Sequence, residues 1–489
     1  MPRTSPPPYL LTYKDSLVEE TARFIHAYDT AHVVMLGETG ILPVSTVLAL
    51  LEGLEEMRAK GIAETRAEAG AGNHAGERYL TRSLGAAIGG SIGLARSSGD
   101  LSAMSFRMYG AAEALRFQRR LNAVRAALLR LAEAHADTVL PGNTHGQHAQ
   151  PITIALWAMM FIDALGRDCE RLAEFASRCN LCPAGAGIMS GTEFPINRAR
   201  IAELLGFDRA MPNTLDAALS HDLELEYVSA LGLMSYTLSR MAEDLFLWAT
   251  TEYRLIHLPD WFVGTSSMMP QKRNPDGLQD LRNLSAQAQA AYSMVIATER
   301  GPTGFPIIER RNSDKILRSL THNLALRLEV LPDLFDEIVV DRSRAESHAN
   351  SNWAAVTDLA GAVVRLNGVD WRKSHNLVAE FVRDCVQNGM GPADVTADDF
   401  NAFALRAGAH SVVLNDAIMS YALDARSFIE RRDTFGGPGP EAMEARCADA
   451  KDKLAEAEAE LDATEQRYLD AENRLYATVG QILAARKIL

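Results

Sequence analysis

Between Gly264 and Pro275 the chain reads GTSSMMPQKRNP. Ser266 and Ser267 supply hydroxyls, Lys272 a point charge and Asn274 an amide donor. Pro270 and Pro275 restrict the backbone while Gly264 loosens its start, so the segment is too punctuated for a helix. That set suits an anion, such as a carboxylate, held beside a hydroxyl that must act. An ordinary polar loop has the same composition, and spacing alone does not separate the two.

Such a loop needs a rigid frame, and the flanking sequence supplies one. LEGLEEMRAKGIAETRAEA, AAEALRFQRRLNAVRAALLRLAEAHADTV and LELEYVSALGLMSYTLSRMAEDLFLWATTEY repeat apolar residues at three and four, the spacing of one helix face. Alternating β-branched runs are nearly absent. Helices this long predict a bundle. Loops rich in Gly, His, Ser and Asn interrupt it near 67–77, 90–100, 140–151, 181–198 and 297–315. Polar loops on a rigid scaffold are where binding residues concentrate. The last segment, 440–489, carries a heptad: Cys447, Leu454, Leu461, Tyr468, Leu475, Ile482 and Leu489. Ala450, Ala457, Thr464, Ala471, Thr478 and Ala485 form its second register. This pattern predicts a long helix packed on its own fold or on a neighbouring subunit, with a separate partner-binding zipper as the alternative.

Composition narrows the function. The net charge of −14 argues against electrostatic binding of nucleic acid or of an anionic membrane surface. Hydrophobic residues make up 47%, enough for a large core. The longest apolar run, ITIALWAMMFIDALG, is shorter than a membrane span and contains Asp163. With no secretory apolar region at the start and five cysteines, the expectation is a reduced, cytoplasmic protein. The CNLC stretch with Cys179 and Cys182 reads as structural, because no second ligand pair accompanies it. No metal-ligand spacing and no nucleotide-binding glycine loop is visible, so neither metal nor cofactor is expected.

SSMMPQKRNPD resembles the signature loop of the fumarase/aspartase superfamily, and its PQKRNPD half is most similar to the argininosuccinate lyase family. NTHGQHAQPI, PAGAGIMSGTEFPINRARIAELLGF and NTLDAALSHDLELEY resemble further blocks in the same order. The resemblance implies an all-α fold of three helical domains, with a central bundle of five long helices that assembles as a tetrameric 20-helix core. The corresponding boundaries are 1–105, 106–360 and 361–439, followed by a terminal extension over 440–489. It implies a homotetramer whose active sites draw loops from three subunits. The reaction implied is β-elimination on a succinyl-amine: the C–N bond breaks and fumarate leaves.

Carried over residue by residue, the resemblance makes Ser266 the base. Lys272 and Asn274 hold the reacting carboxylate with Thr144, and His145 protonates the leaving nitrogen. Ser97, Ser267 and Lys315 match substrate-side loops, and His74 matches a lower-ranked family histidine. His148 and Asp222 are further candidates for the cleft. The departures are equally specific. Gln279 stands where the family has a glutamate paired to the histidine, and Asp280 is one helical step away from substituting. ARSSGD replaces Gly-Arg-Ser-Arg-Asn-Asp, putting Ser98 and Gly99 in place of a cation and an amide. A tyrosine and a glutamine become Ile307 and Asn312, and an aspartate becomes Gly72. The elimination residues are kept while the amine-side loops are rebuilt. The expected substrate is therefore an N-substituted aspartate other than argininosuccinate, or fumarate plus an amine in reverse. A non-catalytic, crystallin-like role and elimination of a different leaving group are the alternatives.

Overall fold

The structure is a computed structural model and describes residues 16–70, 72–304 and 310–488. Ile307 lies outside the described residues, as does the side chain of Asn312. The fold is all-α, with only short two-stranded ladders.

Five helices make the bundle: Ser98–Ala134, Ile154–Cys179, Asp222–Trp248, Asp276–Thr298 and Arg310–Glu337. The first begins at a capping box, where Ser97 and Asp100 satisfy opening backbone N–H groups that have no helical partner. The second begins at Thr153, whose hydroxyl accepts from Leu156 N at 3.0 Å. Side-chain bonds fix the directions. Arg107 reaches the Arg178 carbonyl and Cys169 approaches Asn122, so the second helix runs back along the first. Trp157 to Asp244 and Thr237 to Asp168 reverse the third on the second. Arg282 to Glu243 reverses the fourth on the third. Arg120 to Glu329 and Arg130 to Asp336 set the fifth parallel to the first.

Two shorter helical units cap this bundle. Ser16–Glu38 and Val44–Lys60 bury Tyr28, Val34, Leu50 and Leu54 in a core of their own. A C-terminal unit closes around Phe381, Phe400 and Leu359.

The heptad segment is one helix, Pro440–Ala485, and it packs on its own chain. Pro440 follows Gly439 at the first helical position, where no N–H is needed. The helix runs antiparallel to the first bundle helix. Arg446 pairs with Asp163 at one end, Arg119 with Glu458, Asp462 and Glu465 midway, and Arg58 lies over the Tyr476 ring near the other end. Met443, Cys447, Ala450 and Leu454 belong to the bundle core, whereas Leu475, Val479 and Ile482 belong to the N-terminal core. The terminal helix therefore straps the two units together. Gly206, at φ 77°, permits a close approach: a Cβ there would meet Ala471 at 2.6 Å.

This strap predicts a specific loss. Leu475 is 1% exposed. Leu475→Ala is expected to lower stability by about 2–4 kcal/mol, the cost of a cavity at a buried leucine. Urea unfolding followed by circular dichroism measures it. An unchanged midpoint would mean that the strap is not docked in solution.

Candidate functional site

The two segments singled out by their chemistry are hairpins. Gly264–Thr265 pairs with Arg273–Asn274, and Val139–Thr144 pairs with Gln147–Thr153. Their glycines and prolines spoil helix, and strand pairing at the base of each turn satisfies the backbone instead.

In the first hairpin, Ser266 Oγ accepts the N–H groups of Met268 and Met269 at 3.3 and 3.1 Å. Two donors on one hydroxyl oxygen favour the oxyanion that a serine base must become. Lys272 lies across the same turn, its N–H on the Met269 carbonyl at 3.1 Å. Lys272 and Ser267 are exposed, and Asn274 is half-buried. Met268 is 87% exposed at the tip, a large apolar side chain that no described residue covers.

In the second hairpin, His145 and Gly146 both have positive φ, 54° and 71°. Two successive left-handed residues make the tight turn that a two-residue hairpin requires. Thr144 and His145 thereby stand exposed at its tip. A neighbouring turn buttresses this hairpin. His148 Nδ1 lies 3.2 Å from Ser351 Oγ and 3.3 Å from Asn352 Nδ2. The His148 and His348 rings are 6.3 Å apart, and Tyr253 lies beyond His348. Burial, Arg344 and His148 together hold His348 below the usual imidazole pKa. His348, Ser351 and Asn352 are not legible in the sequence as part of this region, because Ser351 and Asn352 stand 203 and 204 positions from His148 along the chain.

Gln279 is exposed on the first turn of the fourth bundle helix. Asp280 beside it is already engaged. Both its oxygens are held by Arg327, at 2.8 and 3.1 Å.

Ser97, His74 and Lys315 lie at the opposite end of the bundle. Ser97 Oγ accepts from Gly99 N at 3.2 Å as the helix cap, which leaves its hydroxyl proton free to donate. His74 Nδ1 sits 3.0 Å from Glu77. Asn73 donates to Ser102 Oγ at 2.7 Å, joining the His74 and Ser97 loops. Lys315 is exposed near the start of the fifth helix, and Asp222 starts the third helix at this same end. From Ser97 to the far end of the first helix is about 55 Å, at 1.5 Å for each of its 37 residues. Among the described residues, no hydrogen bond, ion pair or ring contact joins the Ser97 loops, the His145 hairpin and the Ser266 hairpin.

The N-terminal helix fixes the Ser97 loop through a buried network. Asp29 takes Arg96 at 2.6 Å and also pairs with Arg66. His32 Nε2 meets the Leu94 carbonyl at 2.9 Å. Burial, helped by Arg96, lowers the His32 pKa to about 3, and burial with Arg66 lowers His26 to about 4. Burial raises Asp100, whose carboxylate accepts from Ser97 N, to about 6. Cys179 and Cys182 are buried free thiols, and burial pushes Cys182 up to about 12. Among the described residues no cluster of three metal-ligating side chains is present, and no helix is long and apolar enough to cross a membrane.

A family model described as Lyase matches residues 24–290, and one described as Argininosuccinate lyase C-terminal matches 353–430. The chain is 32% identical over 445 residues to the argininosuccinate lyase of Methanosarcina acetivorans, covering 90% of this chain and 89% of that protein. It is 30% identical to that of Methanocaldococcus jannaschii, covering 90% of each. EDDS lyase in complex with formate superposes with a TM-score of 0.86 at 29% identity, covering 96% of this chain and 93% of that one. An EDDS lyase variant with bound fumarate covers 98% of both chains, with a TM-score of 0.86 and 27% identity.

The neutral burial of His32 has a measurable sign. Its folded pKa lies below the unfolded value of about 6.5, so the unfolded chain binds more protons between the two. Stability is full above that value and falls as pH drops. From pH 7 to 5, His32→Gln is expected to remove about 2 kcal/mol of the pH dependence, read from urea unfolding at both pH values. An unchanged pH dependence would show that His32 is not buried neutral.

Proposed function

The chain belongs to the lyase family that includes the argininosuccinate lyases, and on that premise we propose that it cleaves the C–N bond of an N-substituted aspartate. The products are fumarate and an amine, and the addition runs in reverse when amine and fumarate are abundant. The observation that carries this reading is the Ser266 hydroxyl with two backbone N–H donors on its oxygen and Lys272 across the turn. Ser266 takes the proton from the carbon beside a carboxylate. Negative charge then accumulates on that carboxylate, where Lys272, Asn274 and Thr144 hold it. Donors placed where charge develops are the largest single catalytic effect in such sites. His145 protonates the departing nitrogen.

The amine half is a group other than that of argininosuccinate. Ser98 and Gly99 supply no cation at the Ser97 loop, and Gln279 brings no carboxylate to the histidine. The likeness to EDDS lyase, which extends over nearly the whole of both chains, supports a substrate of a different amine.

The site is shared between subunits of a homotetramer. Ser97 and Lys315 sit at one end of a helix about 55 Å long and Ser266 and His145 at the other, so antiparallel bundles must meet for all four to surround one substrate. Leu233, Tyr236 and Leu247 are half-exposed along the third bundle helix, an apolar stripe suited to helix-to-helix burial.

Two measurements test this. Mixing the protein with a panel of succinyl-amines is expected to release fumarate, seen as ultraviolet absorbance. Ser266→Ala is expected to lower kcat by roughly 10²–10⁴-fold, the range for losing a general base, with little change in KM. Silence across the panel sinks the lyase reading, and full activity in Ser266→Ala sinks the base. Ser97→Asp keeps the helix cap and sets a negative charge against the substrate carboxylate. Refolding equal amounts of inactive Ser97→Asp and Ser266→Ala chains together is expected to restore roughly a quarter of the sites, since two independent halves must coincide. No recovery would place each site within one chain.

A further inference from the structure

The terminal helix does not close fully on the bundle. It leaves a cavity of about 260 Å³ against the N-terminal helix, the first bundle helix and the segment around Leu205 and Phe207. Phe24, Met108, Leu115, Phe207 and Leu469 make much of its wall, so most of it is apolar.

Arginines and two glutamates also line it, and one of these arginines stands apart from the rest. Arg107 is 7% exposed. One of its amino groups donates to the Arg178 carbonyl at 2.9 Å. Among the described residues no carboxylate lies within ion-pair distance of it. Other arginines at the cavity are answered: Arg119 by Glu458, Asp462 and Glu465, and Arg23 by Glu472. A guanidinium has five N–H donors in a planar fork that matches a carboxylate. Burying that charge without an anion is costly, and an anion entering the cavity recovers the cost. Apolar walls beside one guanidinium that no carboxylate among the described residues answers are the recognition chemistry of an amphipathic organic anion.

We propose that this cavity is a second ligand site, taking a small organic carboxylate with an apolar body. The head group sits on Arg107 and the body lies among Phe24, Leu115 and Leu469. The volume holds on the order of ten non-hydrogen atoms, taking about 30 Å³ for each water-sized group. Its lining includes none of the residues assigned to elimination, and Arg107 lies about 15 Å along the helix from Ser97. The site therefore stands or falls independently of the lyase reading. Because the terminal helix supplies part of the wall, ligand binding stabilises the strap as well as the cavity.

The test is calorimetric titration of the full chain with octanoate, hexanoate and 3-phenylpropionate, with saturating fumarate present to occupy the elimination site. One saturable event per chain is expected for at least one of the three, with a raised melting temperature. The uncharged octanol is expected to bind at least tenfold more weakly than octanoate. Arg107→Met removes the cation and Ala112→Leu fills the space. Each is expected to weaken carboxylate binding at least tenfold while fumarate release stays within twofold. No saturable binding of any of the three, octanol binding as tightly as octanoate, or binding that survives both substitutions overturns the proposal. If a variant fails to melt cooperatively, the comparison of octanoate with octanol on the unaltered protein decides alone.

Discussion

The length and direction of the first bundle helix constrain everything else in this molecule. Thirty-seven residues of continuous helix, Ser98–Ala134, hold two chemically equipped ends far apart. The other four helices inherit that separation, because each reverses or repeats the first helix's direction. A helix cannot bend its ends together, and no loop described here spans the bundle. The two equipped ends of one chain therefore stay apart, and Leu233, Tyr236 and Leu247 leave an apolar stripe half-exposed on the third helix.

Each end is made rigid by a different device. At one end, Asp29 sits between two arginines and His32 holds the Leu94 carbonyl, so the Ser97 loop rests on charges that are out of water and mutually paired. Breaking such a buried pair leaves an uncompensated charge, which resists local unfolding. At the other end, two short hairpins carry exposed chemistry on tightly specified turns. The left-handed His145 and the doubly bonded Ser266 Oγ are backbone arrangements, set before any substrate arrives. Donors already in place cost no rearrangement when charge develops on the oxygen they hold.

The terminal helix carries none of the residues assigned to elimination. One helix contributes residues to two separate hydrophobic cores, and so couples the unit carrying the Ser97 loop to the bundle. A cavity lies along this seam, with Arg107 on its wall meeting no carboxylate among the described residues. Stability, domain placement and the proposed second site therefore share the same few side chains, among them Tyr468, Leu469 and Leu475.

Much was written in the order of residues alone. Apolar spacing of three and four determined the long helices, since one buried face is a local property of a helix. The 447–482 heptad determined that one side of the terminal helix is buried, as Leu454, Leu461, Leu475 and Ile482 are. The SSMMPQKRNPD and NTHGQHAQP runs marked two stretches that carry hydroxyl, cation and imidazole groups, because each motif is contiguous. They read as loops, and pairing across each turn made them hairpins. Only the tertiary structure decided what the terminal helix packs against, because a heptad specifies a face and not its partner. Only it set His148 beside Ser351 and Asn352, occupied Asp280 with Arg327, and left Arg107 without a carboxylate among the described residues. Each of these depends on which distant groups arrive at a given side chain. Periodicity and motif spacing record local geometry, whereas burial and charge pairing are settled only when the whole chain has closed.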